Sequence, residues 1–98
     1  MIKNGTRLQS QVDDTEVIVV RTGESLDDLR CGGAPMVPLG GERTGQLDPR
    51  FAEGTTMGKR YVDVTGAEVL VTKAGSGTLT VGETALEVKA AKPLPASD

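Results

Sequence analysis

The sequence predicts a small all-β protein, an antiparallel sandwich or partly open barrel of about six short strands with one long glycine-rich loop. Three observations carry this. Apolar residues alternate with polar ones between Thr6 and Val12 and again from Arg60 onward, which is the period of half-buried strands. Gly, Asp and Ser pairs punctuate those runs at turn-like intervals. The one helical signal, at Ser25, lasts a single turn.

Taken in order, Thr6, Leu8, Ser10 and Val12 share one face of the first strand, and Arg7, Gln9 and Gln11 share the other. Asp13-Asp14 supplies turn chemistry. Glu16 to Arg21 (EVIVVR) is β-branched on both faces, so it predicts a strand through the middle of a sheet, hairpinned to the first. Thr22-Gly23 breaks the run. Ser25 can then cap one helical turn with Asp27 and Asp28 near its positive end.

The stretch from Leu29 to Leu39, LRCGGAPMVPL, reads as a rigid, non-repetitive loop. Gly32 and Gly33 open backbone angles closed to other residues, Pro35 and Pro38 fix φ, and Met36 with Leu29 and Leu39 is expected to plug the core. Gly40 to Lys59 follows with five glycines, one proline and only Leu47, Phe51 and Met57 as anchors. Two readings stay open for it, a disordered connection and a partner-binding loop pinned by Phe51.

From Arg60, apolar pairs at Val62/Val64, Val69/Val71, Leu79/Val81 and Leu86/Val88 predict a four-stranded meander. Its turns fall at Thr65-Gly66, at Gly75-Ser76-Gly77, and at Gly82-Glu83, a pair suited to a two-residue type II′ hairpin. Residues 1–92 form one β-domain, and residues 93–98 an extended tail in which Leu94 can pack on the domain or a neighbour.

Composition excludes several functions. The formal charge of −3 comes without a basic stripe, and base-stacking aromatics are missing, so no nucleic-acid partner is expected. No apolar run approaches the ~20 residues of a membrane span, and the N-terminus lacks a signal-peptide core, which predicts a cytoplasmic protein without a membrane partner. One cysteine forms no internal disulfide, in keeping with a reducing compartment. The chain contains no histidine, which removes Ser-His-Asp and Cys-His catalysis and His-ligated metals. With one Phe, one Tyr and no Trp, burial rests on Val, Ile and Leu. A core this thin gains from a second copy or a protein partner.

Chemistry, if present, would centre on Arg30, Cys31, Gly32, Gly33, Pro35 and Met36. The N–H groups of Gly32 and Gly33 with the charge of Arg30 would make Cys31 a thiolate nucleophile or redox centre if they lowered its pKa. Otherwise Cys31 is a small buried structural residue. The run Leu29-x-Cys31-Gly32-Gly33-x-Pro35-Met36 resembles the metal knuckle of desulforedoxin-like and rubredoxin-like domains, which hold one iron or zinc. Those families need four thiolates or equivalent ligands. Arg30 occupies the neighbouring position and no second cysteine exists, so no metal or cofactor is carried over. Together with Asp14-Thr15-Glu16-Val17, Gly58-Lys59-Arg60-Tyr61 and Lys73-Ala74-Gly75, the loop resembles a group of small bacterial β-proteins.

Asp13, Asp14 and Glu16 lack the spacing of a calcium loop and read as solvated turn acids. Arg43, Arg50, Phe51, Met57 and Arg60 form a candidate interaction loop. The expected function is a non-catalytic binding or accessory module, a small subunit of a larger bacterial assembly. The alternative is a small metal-binding or redox protein centred on the Cys31 loop.

Overall fold

Runs of β-branched residues separated by glycine turns leave little for helices to use, and the chain folds accordingly. A computed structural model describes residues 2–43 and 45–89 and shows an all-β protein with two antiparallel sheets, not closed into a barrel. The larger sheet contains β1 (Arg7–Gln9), β2 (Glu16–Arg21), β5 (Val37–Pro38), β6 (Arg60–Val62), β7 (Glu68–Lys73) and β10 (Glu87–Val88), in the order β10-β6-β7-β2-β1-β5. The smaller contains β3 (Leu29–Cys31), β4 (Ala34–Pro35), β8 (Leu79–Val81) and β9 (Thr84–Ala85), in the order β4-β3-β8-β9.

The core follows from the alternation. On β2 and β7 the pairs Val17↔Val71 and Val19↔Val69 turn inward, joined by Leu8 and Tyr61. Leu29, Cys31 and Leu79 of the smaller sheet meet them, with Leu26 from the 3-10 turn Glu24–Asp28. Each buried aliphatic side chain contributes roughly 1.5 to 3 kcal/mol, so an aliphatic core can replace the missing aromatics. The single turn is present, but it runs from Glu24 to Asp28 with Gly23 at its N-cap and no side-chain cap, so Ser25 lies inside the turn rather than capping it, its hydroxyl 3.3 Å from that of Thr65.

Three expectations change. The segment from Leu29 to Leu39 is not irregular, because Gly32 and Gly33 take φ of +66° and +89° and close a two-residue hairpin that pairs Cys31 with Ala34. Positive φ at both positions is the geometry of a type I′ turn, which matches strand twist. Leu29 and Cys31 fill the core there, Met36 is half-buried and packs against it, and Leu39 is exposed.

The predicted meander is divided between the sheets. β7 pairs with β2 rather than β8, residues 74–78 cross over, and β10 returns to lie beside β6. Val64 lies outside β6 and faces water. The two-residue hairpin at Gly82-Glu83 is present, with φ of +60° at Gly82 and no positive φ at Glu83, the type II′ pattern.

The described part of the segment from Gly40 to Lys59 is a strap. Backbone N–H groups of Asp48, Thr55 and Gly58 donate to the carbonyls of Gly32, Gly75 and Val71, and Thr78 N–H donates to Phe51 O. Thr56 N–H donates to the Tyr61 hydroxyl at 3.0 Å. The tail and Leu94 lie outside the described residues.

Candidate functional site

Cys31 sits at the end of β3, where alternation turns its side chain inward and that of Arg30 outward. Arg30 Nε donates to Asp28 Oδ1 at 3.0 Å, so its charge is spent away from the sulfur. A Cβ on Gly32 would meet Val12 and Leu47 side-chain atoms at 2.6 and 2.7 Å, and one on Gly33 would meet Asp48 Cβ at 2.7 Å. The strap therefore closes over the hairpin, and Cys31 is 0% exposed. Pro35 stays at the surface opposite Arg30.

The group beside the sulfur is Asp13, which is buried rather than solvated. The turn after β1 folds inward because Ser10 Oγ accepts the N–H groups of Val12 and Asp13 at 3.1 and 3.2 Å. Asp13 Oδ2 then accepts the Thr15 hydroxyl at 2.9 Å and the Gly77 N–H, and Oδ1 accepts the Thr15 N–H at 3.3 Å. The Cys31 thiol donates to the same carboxylate at 3.7 Å. Thr55 joins from the strap, its hydroxyl 3.2 Å from that of Thr15 and accepting the Gly75 N–H at 3.1 Å.

Burial by itself raises the pKa of Asp13, but hydrogen bonds from Ser10, Gly77 and Thr15 outweigh it and hold the carboxyl below its ordinary range. Burial pushes the Cys31 thiol up to about 12; a hydrogen bond to Thr15 opposes this and the Asp13 charge reinforces it. A thiol in that range is protonated at neutral pH and offers no thiolate to a substrate or metal. Among the described residues, no three His, Cys, Asp or Glu side chains converge where a metal ion could sit.

Each arginine of the candidate interaction loop meets an acidic partner. Arg43 pairs with Asp14 at 2.7 Å, and Arg50 pairs with Asp48 at 2.9 Å and lies over the half-buried Phe51 ring. Arg60 belongs to β6 and stands 3.5 Å from Glu68, which also meets Lys89 at 3.2 Å. Met57, 66% exposed, is a large apolar residue that the strap presents to solvent.

A different region has the form of a binding site. The end of β6, the turn after it and the chain from Thr84 to Glu87 enclose a groove of about 280 Å³, just below the usual range for small-molecule sites. Its apolar lining is Val62, Val64, Val81, Ala85 and Leu86, with Ser25, Thr65 and Thr84 at its edges. Asp63 and Glu87 also line it, and among the described residues no cation does.

Asp63 holds the turn by accepting the N–H groups of Thr65 and Ala67 at 3.0 and 2.9 Å. Its slight burial works to raise its pKa, but hydrogen bonds from Ser25, Thr65 and Ala67 lower it overall. The carboxylate is therefore charged at neutral pH. Val64 stands 95% exposed at this site. Reading Val64 as a strand residue hides the groove; the turn signal at Thr65-Gly66 was the available hint. No protein-family model, curated protein or solved structure matches the chain.

Proposed function

We propose that this chain is a non-catalytic binding module, an accessory subunit that docks a protein partner at the groove around Val64. The observation that carries the reading is an open apolar groove at the end of the fold, with Val64 almost wholly exposed beside it. The groove takes one bulky side chain more readily than a cofactor, given its volume.

The setting of Cys31 supports binding over redox or metal chemistry, since its sulfur is sealed and its proton tightly held. The absence of an internal disulfide partner suits a reducing compartment such as the cytoplasm. Photo-crosslinking in cells tests the reading, with the crosslinker placed at Val64 and, as control, at exposed Lys3. A discrete adduct is expected from Val64 alone. Equal adducts from both positions, or a turnover that vanishes in Cys31→Ala, would contradict it.

A further inference from the structure

We infer that the groove receives an extended segment of a partner protein in which one bulky aliphatic side chain is flanked by Lys or Arg. The inference rests on the binding-module reading and adds the chemistry of the partner. Val62, Val81 and Leu86 supply an apolar floor for one side chain, and Val64 supplies an exposed wall. Asp63 and Glu87 give the lining two negative charges and, among the described residues, no positive one. Cations on either side of the inserted residue complement that charge, whereas an acidic segment is repelled.

An extended backbone suits the place as well. β9 is the last strand of its sheet and pairs only with β8 among the described residues, so Thr84 and Ala85 have one edge without a strand neighbour. Edges of this kind take an added strand, with main-chain hydrogen bonds giving affinity and pockets selecting side chains. β9 is two residues long, so most of the selectivity falls to the groove.

The test is selection of displayed random nonapeptides on the intact chain, followed by titration of the synthetic winners. Peptides with one Leu, Ile or Met between basic residues are expected, binding less tightly as salt rises. Val64→Asp should weaken them about tenfold or more, through loss of an apolar contact and burial of a charge. Glu87→Lys, at an exposed position, should weaken them about two- to fivefold and favour peptides in which Glu replaces the basic residues.

Enrichment of acidic peptides, or binding indifferent to both substitutions, would overturn this inference and leave the binding-module reading standing. Self-association abolished by Val64→Asp would also overturn it, by making a second copy the occupant. Failure to enrich any peptide, together with a silent crosslinker at Val64, would overturn both.

Discussion

At Asp13 the chain buries a carboxylate and satisfies it with donors from the first turn, β3 and the 74–78 crossover; at Val64 it leaves an aliphatic side chain 95% in water. The first region contains the residue types associated with catalysis, an acid, a thiol and hydroxyls, and every one of them is directed at another. The second contains valine, alanine and leucine, and it is open. Residue type therefore predicts chemistry poorly here. What decides is whether a group's bonding capacity is already met by its neighbours.

The largest expected effect lies at the closed region. Asp13→Ala removes the acceptor of the Gly77 N–H and of two Thr15 donors, leaving buried polar groups unpaired, and should cost about 3 to 5 kcal/mol. Urea denaturation would read this as a lowered midpoint. A loss below about 1 kcal/mol would mean that solvent reaches these groups, and the contrast between the regions would fail.

Gly77→Ala attacks the same place sterically. A Cβ there would stand 2.7 Å from both Asp13 Oδ2 and Gly32 N, so backbone must move, at about 1 to 3 kcal/mol. Thermal melts check it. The result sharpens the comparison, because alanine removes no hydrogen-bonding group at all.

Titration gives a third expected effect. The folded Asp13 has a lower pKa than the unfolded value of 3.8, so its stabilisation is present above that value and is lost as pH falls through the folded pKa. Cys31 acts at the other end. Its folded pKa is raised from 9.0 to about 12, so its stabilisation is full below 9 and is lost as pH climbs toward 12, at up to about 1.4 kcal/mol per unit. Denaturation midpoints of wild type and Cys31→Ala between pH 8 and 11 should therefore converge as pH rises.

At the open region the expected effect on stability is the smallest. Val64→Asp should change the folding free energy by no more than about 0.5 kcal/mol, because the side chain has little to lose. A substantial loss in the same urea assay would show Val64 to be part of the core.

The sequence made the local features of this fold legible and hid its long-range ones. The run EVIVVR and the type II′ pair Gly82-Glu83 each depend on a few adjacent residues and each is where its pattern puts it, while the single turn around Ser25 is present but capped by Gly23 instead. The Gly32-Gly33 hairpin was equally local; its glycine pair between strand-compatible flanks was the missed signal. The split of the predicted meander was not legible, because pairing of β7 with β2 is decided by partners about fifty residues apart. Asp13 is the clearest case. Asp13-Asp14 is ordinary turn chemistry until the Gly77 N–H, 64 positions later, arrives to bind it.

Native-state hydrogen exchange measures both regions in one sample and tests the account most directly. The amides of Gly77 and Thr15, which donate to the buried Asp13 carboxylate, are predicted to exchange only through global unfolding, while that of exposed Val64 exchanges near the unfolded-chain rate. Gly77 and Thr15 amides exchanging as fast as Val64 would contradict the claim that the Asp13–Cys31 region is a closed structural centre.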